Sequence, residues 1–178
     1  MPHVIGLDAF DRLFTQFEHT AWRLETRRRY ASDEATETYR QFLRGEPVDW
    51  EGADTQWCAE RREQAALGKR FERVRVIDNP PTQGQLYLLD NARRNSSVGE
   101  SIFSLRRSQA DLLGLPGEDF WIFDSRLVAL LVFDSEDSLV SVELITEPAG
   151  VSRSVQMRDA AQHHAVPYET IAAEVAAE

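Results

Sequence analysis

The stretch from Asp119 to Asp134 decides what this chain can become. Asp119-Phe120-Trp121-Ile122-Phe123-Asp124 is followed by Leu127-Val128-Ala129-Leu130-Leu131-Val132-Phe133-Asp134. Both runs are rich in β-branched and aromatic side chains, and the polar break Asp124-Ser125-Arg126 between them predicts a hairpin. The second run is almost wholly apolar. That is the pattern of a strand covered on both faces, so Leu127 to Phe133 is expected at the centre of a sheet with layers on either side.

The flanking sequence supplies the other elements. Phe10, Leu13, Phe14 and Phe17 fall on one helical face, with Asp8 in position to cap it. Trp22, Leu24 and Thr26 alternate with Arg23, Glu25 and Arg27 at strand spacing. A helix opened by Ser32 and Asp33 carries Tyr39, Phe42 and Leu43 and ends at Gly45 and Pro47. Another is expected from Asp54 to Leu67, with Gly68 past its end and Trp57, Arg61 and Ala65 along one stripe. Arg70 to Ile77 reads as a strand with Val74 and Val76 on one side and Phe71, Arg73 and Arg75 on the other. Thr82-Gln83-Gly84-Gln85 has the spacing of a capping box and starts a helix that ends near Gly99. Ser101 to Leu105 is a strand, Ser108 to Leu113 a helical turn, and Leu139 to Ile145 a strand. Glu147-Pro148-Ala149-Gly150 reads as a break before helices Val151 to His164 and Tyr168 to Ala177.

This order predicts an α/β fold: a mixed sheet of about five to six strands, helices packed on it, and an antiparallel meander in the C-terminal part. An α+β arrangement is the alternative. No repeat, low-complexity tract or long linker divides the 178 residues, so 1–178 reads as a single domain.

Net charge narrows the partners. At −10, the chain repels phosphate backbones unless a local basic patch overrides the global field, so direct nucleic-acid binding is not expected. No run of about 18 apolar residues occurs, so no membrane span is expected. Met1 to Asp8 lacks a signal pattern, and the lone Cys58 suits a reducing compartment, so the reading is cytoplasmic. Cys58 reads as a small buried side chain rather than a nucleophile.

Chemical motifs are sparse. His163 and His164 are adjacent, so on a helix they point about 100° apart and do not chelate one ion together. Cys-x-x-Cys, phosphate-loop, nucleophile-elbow and zincin motifs are missing, and no metal, cofactor or catalytic residue is assigned. The acids around the hairpin, Glu118, Asp119, Asp124, Asp134, Glu136 and Asp137, fit turn chemistry, with a carboxylate site as the alternative. Arginine is the more specific signal, since Lys69 is the only lysine among 20 basic residues. Arg73 and Arg75 share one strand side, and Arg23 and Arg27 share another. If those strands are neighbours, their guanidinium groups line a sheet face as a receptor for carboxylate, phosphate or an acidic peptide; pairing with internal carboxylates is the alternative. Arg23, Arg27, Arg73, Arg75, Trp121 and Asp124 are therefore the candidate ligand-binding residues.

Several segments resemble one bacterial family known only as a domain of unknown function. They are Phe10-x-x-Leu13-Phe14, Ala21-Trp22-Arg23-Leu24-Glu25-Thr26, Phe42-Leu43-x-Gly45-Glu46-Pro47, Arg73-Val74-Arg75-Val76, Gly99-Glu100 and Leu113-Gly114-Leu115-Pro116-x-x-Asp119-Phe120-Trp121-Ile122-Phe123-Asp124. The resemblance runs from Phe10 to Tyr168. Its members tend to be encoded beside XRE-type helix-turn-helix regulators, which implies a regulatory accessory role and no established activity. The order of elements is also similar to one half of a phospholipase D-like domain. Catalysis in that superfamily needs His-x-Lys followed by Asp; here Leu67 stands where the histidine is required before Lys69, so the resemblance implies a fold retained without its chemistry.

Two functions follow. The first is a non-enzymatic module that binds a protein partner, a helix-turn-helix regulator, and senses a small anion; it needs an exposed apolar patch or a two-fold interface, so a homodimer is a further expectation. The second is an enzyme acting on a phosphorylated or nucleotide-like ligand, with arginines for binding and a hairpin carboxylate as base; it needs a deep pocket.

Overall fold

The computed structural model describes residues 3–53 and 55–178; the expected helix start at Asp54 lies outside them. Among the described residues, eight strands form one mixed sheet: β1 (His3–Ile5), β2 (Thr20–Glu25), β3 (Arg70–Ile77), β4 (Glu100–Arg106), β5 (Phe120–Phe123), β6 (Leu127–Phe133), β7 (Leu139–Ile145) and β8 (Val166–Pro167). Their spatial order is β1-β7-β6-β5-β2-β3-β4-β8. β2, β3 and β4 run parallel, while β5, β6 and β7 form an antiparallel meander. The helices are α1 (Leu7–Gln16), α2 (Ala31–Glu34), α3 (Glu37–Leu43), α4 (Gln56–Ala66), α5 (Gln83–Ser97), α6 (Arg107–Leu112), α7 (Pro148–His164) and α8 (Tyr168–Ala176). The class is α/β, as expected, and no helix among the described residues is long and apolar enough to cross a membrane.

The strand count exceeds the expected five to six because β1 and β8 were not anticipated. They are three and two residues long, and one contains Pro167, so neither leaves a periodic signal; short edges of this kind limit unwanted pairing. The apolar run Leu127–Phe133 is not the centre of the sheet. β6 lies third from one edge, and the central pair is β5 and β2. Both faces of β6 are covered, yet Leu127, Leu130, Val132 and Phe133 are only half-buried, whereas β5 is buried throughout. Continuous hydrophobicity reported two covered faces, which a near-edge strand also has.

The turn between β5 and β6 holds Asp124 and Ser125 at φ 51° and 56°, the left-handed pair that suits the twist of a hairpin. Thr82 and Gln85 form the expected capping box, with both reciprocal hydrogen bonds present. Gly68, at φ 84°, follows α4 as expected, and the Lys69 amide donates back to the Gln64 carbonyl. Three local expectations fail. Gly6, not Asp8, caps α1. The helix expected from Ser32 splits into α2 and α3, because the Thr36 side chain accepts from the Tyr39 amide and starts a new helix. Pro148 does not break the chain but stands at the first position of α7, where its missing N–H costs nothing.

Alternation along the strands gives the sheet two unlike faces. On one, Trp22, Leu24, Val74, Val76, Leu105, Phe120, Ile122 and Val128 pack against Ala110 of α6 and Val151 and Ala161 of α7. On the other, Phe10 and Phe14 of α1, with Phe17, cover Ala21, Phe71, Trp121, Phe123, Ala129 and Leu131. Beyond that aromatic cluster, α4 and α5 pass over β2, β3 and β4, and the buried surface there is polar.

Candidate functional site

The register of the parallel strands builds this polar surface. Arg23 lies opposite Arg73 and Glu25 opposite Arg75, while Trp121 of β5 stands on the other side of Arg23. All point to the face carrying Phe71. Glu100 enters from β4 on the same face, opposite Phe71. It follows Gly99, whose φ of 99° makes the tight α5–β4 turn; a Cβ there would lie 2.8 Å from the Ala65 side chain, so α4 sits directly over this corner.

Glu25 is the hub. Its carboxylate pairs with Arg73 at 2.8 Å, with Arg23 at 3.2 Å and with the Arg75 Nε. Glu100 receives Arg73 at 2.7 Å, Arg61 of α4 at 2.9 Å and the Asn95 amide at 2.8 Å. Asp119 accepts from the Tyr30 hydroxyl at 2.6 Å, the Thr26 amide at 2.7 Å and Arg23 at 3.1 Å. Arg75 also donates to the Leu88 carbonyl at 2.7 Å. The arginines lie against rings: Arg73 is 5.1 Å from Trp121, and Arg61 is 4.2 Å from Phe71 and 4.6 Å from Phe14.

Charge coupling follows from burial. Burial alone would raise Glu25, but Arg75, Arg23 and Arg73 outweigh it and hold the carboxyl far below the usual range. Glu100 is likewise held down, by Arg73 and Arg61 against its burial. Burial pulls Arg61 down to about 10 despite Glu100, which leaves it charged at neutral pH. Burial, reinforced by Asp119, pushes the Tyr30 phenol well above 10. Asp33 behaves differently. It has no cation within pairing distance among the described residues, and burial with the nearby Glu25 raises it to about 6.

A two-lobed cleft opens over this network. The outer lobe, of about 400 Å³, is walled by Phe10, Phe14, Trp121, Leu131, Phe133 and Leu139, with Asp11, Glu60 and Arg61 at its sides. The inner lobe, of about 370 Å³, is lined by Glu25, Asp33, Thr55, Arg75, Leu88, Asn91, Arg94 and Asn95. Arg23, Tyr30, Ser32, Trp57 and Arg73 belong to both. The inner lobe thus sets four arginines, 23, 73, 75 and 94, beside Glu25 and Asp33, while Glu100 and Asp119 pair with Arg73 and Arg23 from outside its lining. Arg94 has no carboxylate partner among the described residues; its guanidinium lies 5.3 Å from Trp50 and 5.5 Å from Trp57.

Of the residues proposed from sequence, Arg23, Arg73, Arg75 and Trp121 come together here. Arg73 and Arg75 pair with the internal carboxylates Glu25 and Glu100, which is the alternative reading weighed for them. Arg27 and Asp124 lie elsewhere. β2 ends at Glu25, and Arg27 turns away to Asp137 and stands 4.5 Å from the Phe133 ring centre. The Asp124 carboxylate accepts from the backbone amides of Glu18, His19 and Thr20 at 2.7–2.9 Å, fastening the hairpin turn to the start of β2. Burial would raise it, but those donors hold it below its ordinary range. Asp134 and Asp137 serve turns, as expected. Sequence reasoning missed Glu25, Glu100, Trp57, Arg61, Tyr30, Asp33, Asn95 and Arg94 as site residues. Strand alternation already placed Glu25 beside Arg23, and helical spacing placed Trp57 with Arg61; for Tyr30, Asp33 and Arg94 no local pattern pointed to the cleft.

Residues 8–173 match the model of a family described as a domain of unknown function, DUF6879. The chain belongs to the DUF6879 family. No curated protein matches it. Among solved structures the DUF6879 chain is similar to NucT from Helicobacter pylori, with a TM-score of 0.52 and 11% identity over 94% of this chain and 97% of that one. At that identity the likeness is one of fold alone. Lys69, the only lysine, lies outside the cleft: its ammonium donates to the Thr15 carbonyl at 3.0 Å and sits 4.8 Å from the Phe17 ring.

Proposed function

We propose that this DUF6879 protein is a non-enzymatic regulatory module that binds a small anion in the cleft and communicates its occupancy to a protein partner. One observation carries the reading: the half-buried Arg94 lines the inner lobe as a cation with no carboxylate partner among the described residues. Guanidinium groups on rigid strands suit carboxylate or phosphate, and the internal carboxylates fix their geometry beforehand. Those carboxylates are committed. Glu25 and Glu100 are held ionised by arginines, so both are poor proton acceptors at neutral pH, and Asp119 behind them already accepts four hydrogen bonds. The partner follows from the family resemblance, which implies a helix-turn-helix regulator.

One feature favours the enzyme reading, in which a phosphorylated or nucleotide-like compound is the substrate. Asp33, raised to about 6, has the protonation behaviour of a general base. The fold likeness to NucT is compatible with either role. Thermal melting and arginine-detected NMR with inorganic phosphate test the first reading. Saturation near 100 times the dissociation constant stabilises by about 2.7 kcal/mol, and the Arg94 Nε–Hε signal shifts. No shift and no stabilisation would overturn it. Turnover of a phosphomonoester that Asp33→Asn abolishes would decide for the enzyme.

A further inference from the structure

Within the anion-binding reading, on which this inference rests, the two lobes ask for different chemistry. Five buried side-chain polar atoms lack a hydrogen-bond partner among the described residues, and three of them belong to residues of the inner lobe: Arg23 Nε, Arg94 Nε and Asn95 Oδ1. Asn95 is only 2% exposed, and its amide nitrogen is already spent on Glu100, which leaves the oxygen as an acceptor with nothing to accept. Unpaired buried groups cost free energy, and these two donors and one acceptor, closed to water as the side chains stand, gain a partner when a polar group entering the lobe displaces their neighbours. The outer lobe adds the rings and aliphatic side chains of Phe10, Phe14, Trp121, Leu131, Phe133 and Leu139 beside Asp11, Glu60 and Arg61, and Trp57 stands at the junction of the two lobes.

We infer that the ligand is bipartite: an anionic head, carboxylate or phosphate, with an adjacent O–H or N–H occupies the inner lobe, and an aromatic or apolar body occupies the outer lobe. Arg94 and Arg23 take the head's oxygens, and the Asn95 oxygen takes its hydrogen. Trp57 and Trp121 bind the start of the body, and Leu139 closes the far end.

The experiment uses the full chain and four probes: inorganic phosphate, phenyl phosphate, phenylacetate and 3-phenyllactate, titrated by NMR and calorimetry. Phenyl phosphate is expected to bind at least tenfold tighter than inorganic phosphate, and phenyllactate, which adds a hydroxyl beside the carboxylate, tighter than phenylacetate. Arg94→Gln weakens both phosphates at least tenfold, while Arg94→Lys, which keeps the charge, retains most of the affinity for inorganic phosphate. Leu139→Asn, which adds no charge, reduces the phenyl advantage while inorganic phosphate binds within about twofold of the parent; melting curves check that each variant is folded. Equal binding of the two phosphates by the unaltered chain overturns the bipartite ligand and leaves the anion site standing. Phosphate binding that ignores Arg94→Gln overturns the head assignment. Failure of all four probes to bind removes the anion-binding reading together with this one.

Discussion

The two faces of β2 and β3 come from the same residues taken alternately, yet they are different materials. One presents Trp22, Leu24, Val74 and Val76 to a dry layer of helices. The other presents Arg23, Glu25, Arg73 and Arg75, all at most half-exposed and tied to Glu100 and Asp119. The first face stabilises by removing apolar surface from water. The second gains little net stability, because desolvating the charges offsets most of their attraction, although each member depends on the others. A protein seeking only stability is better served by apolar side chains on both faces. The polar face is therefore the part of the sheet that the proposed anion site accounts for.

Perturbing the two faces separately tests this contrast. The largest effect is expected from replacing Arg73 and Arg75 together with glutamine. Glu25 then keeps only Arg23, and chemical denaturation should show a loss of about 3–5 kcal/mol; a loss below about 1 kcal/mol would mean that the network is solvated and the faces are alike. Glu25→Leu with Arg75→Met removes one charge of each sign and should recover much of what Glu25→Leu alone loses. Leu24→Ala, on the dry face, should cost about 3 kcal/mol through lost burial and a residual cavity, with phosphate affinity unchanged at a temperature where the variant is folded.

The smallest effect is one of pH. Asp33, raised from 3.8 to about 6, contributes its stability in the neutral form, fully present below about 3.8 and lost as pH rises through 6. Asp33→Asn should therefore be more stable than the parent at pH 8 by roughly 1 kcal/mol, the full shift being reduced by partial exposure, and equal to it near pH 3. Glu25 and Glu100 have the opposite sign: their stability is present above about 4.5 and fails as pH falls through their lowered values. A parent stability curve flat between pH 5 and 8 would refute the assignment for Asp33.

Much of this was legible in the chain because period-2 alternation speaks for itself. Arg73 and Arg75 opposite Val74 and Val76, the hairpin at Asp124-Ser125 and the Thr82–Gln85 cap are local facts, and they held. Position in the sheet is not local. The run Leu127–Phe133 announces two covered faces but not its neighbours, and β1 and β8 become strands only because β7 and β4 offer edges. The site failed where side chains travel. Arg27 follows the strand alternation on paper, but the strand ends two residues before it. Asp124 looks like a free acid until three backbone amides are found to converge on it. Tyr30, Asp33 and Arg94 reach the cleft through the packing of loop and helices, which no spacing encodes.

The attachment of α4 has a consequence of its own. Among its buried residues are Cys58, Arg61 and Gln64, so the helix is fastened to the sheet by the Arg61–Glu100 pair more than by an apolar seam. An apolar seam, once parted, leaves two surfaces that water receives poorly. A parted ion pair leaves two groups that water receives well. Opening at α4 is cushioned by hydration in a way that opening at α7 is not, so hydrogen exchange is expected to be faster in the roof of the cleft than in its floor.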